Sequence, residues 1–202
     1  MHRVSADQRL VRFGSRGDIS PRLSYGNAII SVRVDVPPLH SAAYNADVET
    51  LRQLLAAGAL PDLRDEKGYT ALLWASFRAA VADQVPVIEA LLAAGADPDA
   101  INGSGDSSCL ILAAQSGCES AVVALVAGGA NVNQQTDGVT ALMVAARMGE
   151  LRIARLLLQL GANPAARAGR FTAADYARHG AHDDLADFLD QAITAGSPSA
   201  SA

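Results

Sequence analysis

Residues 140–163 read TALMVAARMGELRIARLLLQLGAN. Leu142, Ala145 and Ala146 recur at helical spacing until Gly149 breaks the run; Leu151, Ala154, Leu157 and Leu158 repeat the pattern until Gly161 ends it. The stretch predicts two short helices back to back with a glycine stop. Helices shorter than roughly 12–15 residues are marginal alone in water, so such a pair has to pack on something. The rest of the chain supplies further copies. Gly58, Gly95, Gly129 and Gly161 each precede an alanine and follow a Leu- or Val-rich run, in LLAAGALPD, LLAAGADPD, LVAGGANVN and LLQLGANPA. Their spacings of 37, 34 and 32 residues are the period of a solenoid, in which each unit buries its apolar face on the next.

Composition agrees with closely stacked helices. Half of the 202 residues are apolar but only 4% are aromatic, and alanine, the best helix former, is abundant. The net charge of −5 argues against nucleic acid or an anionic membrane as partner. No run of about 18 apolar residues is present, and the start, MHRVSADQRLVRF, lacks the apolar stretch of a secretory signal. Cys109 and Cys118 are too few for a disulfide framework. A cytoplasmic chain with free thiols is the expectation.

Residues 1–35 stand outside the period. Six Arg against three Asp make this arm about +3, while residues 36–202 carry about −8. Gly, Ser and Pro from Gly14 to Gly26 favour a loose segment, and alternation from Ile29 to Val36 reads as a strand or an extended arm. Arg16-Gly17-Asp18 is a three-letter match without the context that would give it meaning. Five repeats follow over 36–192, at about 36–64, 65–101, 102–134, 135–167 and 168–192. In the first, helices are expected at Pro38–Asn45 and Val48–Ala57 with Asp47 as cap. The second has a first helix, ALLWASFRAAVAD, read as one turn longer than its counterparts, and Pro86 opens the next. The fifth, with Asp183, Asp184, Asp187 and Asp190, has the polar character of a closing cap. Residues 193–202 read as a disordered tail.

These residues resemble the ankyrin-repeat family. The matches are Pro38-Leu39-His40-Ser41-Ala42-Ala43, then DEKGYT at 65–70 with Ala71-Leu72, Asp137-Gly138-Val139-Thr140-Ala141-Leu142 and Phe171-Thr172-Ala173-Ala174, with Gly-Ala at each of the four stops. The resemblance implies an all-α solenoid of helix-turn-helix repeats joined by hairpin-like loops. Only His40 fills the family's histidine position; Leu73, Ile111, Met143 and Asp175 stand there later, which implies looser loops between repeats.

No catalytic, cofactor or metal site is evident. Cys109 and Cys118 are nine residues apart, where metal ligands pair at two to four. His179, His182 and Asp183 lack a further ligand, and Gly103-Ser104-Gly105, read as a flexible loop, lacks the lysine and strand of a phosphate-binding loop. The expectation is a non-catalytic module, monomeric by itself, that binds another protein; the alternative is a regulatory or chaperone-like accessory subunit of an enzyme. By resemblance, partners meet the loop tips and groove-facing first-helix positions. The loop positions include Glu66, Lys67, Tyr69, Ser107, Asp137 and Val139. The helix positions are Tyr44, Asn45, Trp74, Phe77, Arg78, Gln115, Ser116, Arg147 and Met148. Tyr44, Tyr69, Trp74 and Phe77 concentrate four aromatics in 34 residues, either as an anchor patch or as packing of the second repeat.

Overall fold

The computed structural model describes residues 38–80 and 83–196, with the strand residues 24–25 and 28–29. Two units divide the chain at Pro38. In the first, β1 (Ser24–Tyr25) and β2 (Ala28–Ile29) pair antiparallel, Ser24 opposite Ile29 and Tyr25 opposite Ala28. The alternation expected through Val36 and the Arg16-Gly17-Asp18 tripeptide lie outside the described residues, apart from Ile29.

The second unit is five helix pairs. They are α1 (Pro38–Tyr44) and α2 (Val48–Ala56), α3 (Ala71–Phe77) and α4 (Val85–Ala93), α5 (Cys109–Gln115) and α6 (Glu119–Ala127). Then come α7 (Ala141–Met148) and α8 (Leu151–Gln159), α9 (Ala173–His179) and α10 (Asp183–Gly196). Four first helices begin at a hydroxyl cap: Thr70, Ser108, Thr140 and Thr172 accept from the backbone N–H three residues on. Asp47 caps α2 in the same way. α3, α5, α7 and α9 pack successively in one layer, and α2, α4, α6 and α8 in another. A first helix lies between neighbours on both sides, so α5 buries Cys109 through Ala114 and α7 buries Ala141 through Ala146. A second helix buries one stripe: in α8 only Ile153, Ala154 and Leu157 are buried. Leu151, expected on that stripe, is exposed at the first turn, and Leu158 is half-buried.

The structure corrects three further expectations. α3 is seven residues, the same as α1, α5 and α9, not a turn longer. Ser76 Oγ donates to the Leu72 carbonyl at 2.8 Å, and Ala79 N–H closes back on the Ser76 carbonyl at 3.4 Å, which tightens and ends the helix. The extra residues of the second repeat therefore lie between the helices, and Pro86 sits in the first turn of α4. At the other end α10 continues past residue 192 to Gly196; residues 197–202 lie outside the described residues.

The third correction concerns the loops, which are tied despite the missing histidines. His40 Nε2 donates to the Tyr69 carbonyl at 2.9 Å, as the resemblance implied. Further along, Arg64 donates to the carbonyls of Gly68 and Ile101 at 2.7 and 2.6 Å, and Thr136 Oγ1 donates to the Asp106 carbonyl at 3.0 Å. On the glycine-stop side a ladder runs from repeat to repeat: Asp62 accepts from Asp97 N–H, Asp99 from Asn131 N–H, and Asn133 from Asn163 N–H. The loop at Gly103 is likewise fastened. Asn102 accepts from the backbone of Asp106 and Ser107 and donates to the Asp106 carboxylate, and a Cβ on Gly103 would overlap the Lys67 carbonyl.

A candidate protein-interaction face

The hairpin-like loops hold the tips. Thr136 and Val139 exchange both backbone hydrogen bonds around Asp137 (φ 50°) and Gly138 (φ 78°). Two consecutive left-handed residues make the tight turn for which Asp-Gly is suited. This presents Asp137 to solvent and leaves Val139 half-buried. Glu66 and Lys67 are exposed at the tip of the second repeat's loop, while Ser107 is half-buried.

Asp65 builds the base of that loop. Its Oδ1 accepts from Lys67 N–H at 2.9 Å and Tyr69 N–H at 2.8 Å, and its Oδ2 accepts from the Trp74 indole at 2.9 Å. Burial raises the carboxyl pKa, but the bonds from Trp74, Tyr69 and Lys67 outweigh it and hold Asp65 below the ordinary value. One side chain thus fixes the loop and orients the chain's single tryptophan. Three other rings surround Trp74: Tyr69 at 4.9 Å, tilted, and Tyr44 at 5.5 Å and Phe77 at 6.1 Å, both edge-on. Tyr69 Oη accepts from Asn102 Nδ2 at 3.3 Å, joining this group to the next loop. The Arg78 guanidinium lies over the Tyr44 ring, 4.4 Å from its centroid.

The four aromatics are therefore one contiguous group, drawn from α1, the loop between α2 and α3, and α3. Trp74 and Tyr69 are half-buried; Phe77 is 51% and Tyr44 37% exposed. Phe77 is outside the core. Asn45 is exposed and turns back onto the Ser41 carbonyl. Gln115, Arg147 and Met148 are exposed at the ends of α5 and α7, and half-buried Ser116 donates to the Ala113 carbonyl. These four recur at the repeat position of Phe77 and Arg78 but are not part of the ring cluster. Sequence reasoning missed Asp65 and Asn102 as site residues. Asp65 was legible as part of the loop motif, but its hold on an indole nine residues away depends on how loop and helix fold together. A smaller group was also missed in the last repeat, where Phe171 meets His179 edge-on at 5.3 Å and Arg170 lies 4.9 Å from the Phe171 centroid.

Burial pushes the Cys109 thiol up to about 12, so it is inert at neutral pH. Among the described residues no group of three His, Cys, Asp or Glu side chains could hold a metal ion, and no helix is long and apolar enough to cross a membrane.

Stacked helix pairs with projecting hairpin loops define a helical repeat solenoid that offers a ready-made surface. Two family models match the chain: ankyrin repeats (3 copies) over residues 76–168 and ankyrin repeats (many copies) over residues 39–81. The chain belongs to the ankyrin-repeat family, whose repeats are generally protein–protein interaction modules. No curated protein gave a significant match.

Proposed function

We propose that this chain is a non-catalytic binding module that docks a partner protein on its first-helix face and loop tips. The second repeat is the centre of that contact. The observation that carries this reading is the ring cluster of Tyr44, Tyr69, Trp74 and Phe77 with Arg78 stacked at its edge. Interface hot spots favour Trp, Tyr and Arg, and rings already held by Asp65 and by one another cost little to order on binding. The flanking contacts would come from Asn45, Glu66, Lys67, Gln115, Ser116, Asp137, Val139, Arg147 and Met148. The setting proposed is cytoplasmic, with a monomer in the unbound state and neither nucleic acid nor membrane as partner.

The test is affinity capture with the full chain and with Trp74→Ala. Loss of the indole should cost a partner about 2 kcal/mol or more while the helical circular dichroism is kept. Equal capture by both proteins, or a variant that loses its helical signal, would count against the patch.

A further inference from the structure

Arg78 is a half-buried guanidinium whose donors find no acceptor among the described residues. Among the described residues it makes no side-chain hydrogen bond and no ion pair; its guanidinium lies over the Tyr44 ring, and its Nε is buried without a partner. Other arginines are engaged: Arg64 with two carbonyls, Arg152 with Glu119, and Arg178 with Asp190. The carboxylate that supports the ring cluster is committed elsewhere, since Asp65 spends both oxygens on Lys67, Tyr69 and Trp74. The first helices α1, α3, α5 and α7 contain no acidic residue at all, although the chain is net acidic. The charges at their ends are basic: half-buried Arg78 just past α3 and exposed Arg147 in the last turn of α7. A half-buried charged donor without a protein acceptor gains from meeting one.

Resting on the reading above, we propose that the patch receives an acidic segment of the partner protein. A side-chain carboxylate accepts from the Arg78 fork, and an adjacent apolar side chain covers Phe77 and Trp74. The guanidinium plane stacked on Tyr44 leaves its edge for such a paired contact. A cationic segment would meet like charge, because Arg78 already occupies the Tyr44 face. A single carboxylate can reach the Arg78 fork alone, whereas a nucleic acid would spread many phosphates over a repeat region of about −8.

The single tryptophan makes the site its own reporter. A random-peptide display library is panned against the full chain, and tryptophan-free copies of the retained peptides are titrated while Trp74 emission is followed. Retained peptides should pair Asp or Glu with aliphatic or aromatic residues. Arg78→Gln should weaken them about tenfold, the loss of one charge-assisted hydrogen bond, with its melting temperature and helical signal kept. Arg78→Lys should recover only part, and added salt should weaken binding. The proposal is overturned if no peptide is retained, or if retained peptides are basic. Equal binding by Arg78→Gln, or displacement by a short thymidine oligonucleotide, would also overturn it. Loss of binding in Phe77→Ala and in Trp74→Ala, the latter titrated by calorimetry because it has no indole, with indifference to Arg78→Gln would sink only the acidic partner. Retention unaffected by any of the three would sink the patch itself.

Discussion

At the scale of single residues, buried polar groups set the terms. His40 is fully buried, with Nε2 on the Tyr69 carbonyl and Nδ1 without a partner among the described residues. Burial lowers its pKa below 6.5, against the opposing pull of the Tyr69 bond and Asp65. The unfolded chain therefore takes up a proton first, so stability should fall as pH drops below 6.5 and level off below the folded pKa. Melting temperature followed from neutral pH downward should show this slope, and His40→Gln should flatten it. Asp65 acts in a separate window: its pKa is held below 3.8, so its stabilisation persists above that value and is lost in stronger acid. Asp65→Ala would orphan the Trp74 indole and two loop amides, at about 1–3 kcal/mol by chemical denaturation, with a shifted Trp74 emission. Gly149 has no such freedom to change. It caps α7 at φ 75°, and a Cβ there would strike the His182 ring, so Gly149→Ala should destabilise by about 1 kcal/mol or more in the same assay.

At the scale of elements, helices are nearly constant and loops carry the variation. First helices have seven or eight residues, and the second helices before the cap have nine. That constancy explains why the glycine stops were readable: each closes an equivalent helix at a repeated distance. The Thr and Ser caps were readable for the same reason, being local chemistry. Position around the helix was harder. Leu91 is fully buried, whereas Leu156, a leucine in a similar run, is only half-buried. Leu91→Ala should cost about 2–5 kcal/mol, and Leu156→Ala about 1–2 kcal/mol, by denaturant titration. The length of α3 was misread because ALLWASFRAAVAD has helical composition throughout. Its end comes from the Ser76 back-bond and the turn at Ala79, which propensity does not encode. The ring cluster was legible as aromatics close in sequence. Its support from Asp65 and Asn102 was not, since the Asn102 bond spans 33 residues and exists only once two loops lie side by side.

At the scale of the molecule, neighbour-to-neighbour packing makes the last repeat a lid on the one before it. α9 lies on α7, and Arg155 of α8 reaches the Phe188 ring of α10. Deleting residues 168–202 would expose the layer built on Leu142, Met143 and Ile153 to water. The shortened chain should melt at lower temperature and associate in light scattering, as solenoids deprived of a polar end unit do.

The extra residues between α3 and α4 have a consequence for design. The spacing widens to 37 there, yet α4 still packs between α2 and α6, and the rung from Asp62 to Asp97 is intact. That junction is where this chain tolerates a change in length without losing register. A loop grafted at Ala80 would extend the molecule beside the rings of the second repeat, leaving the stacking of every other unit undisturbed.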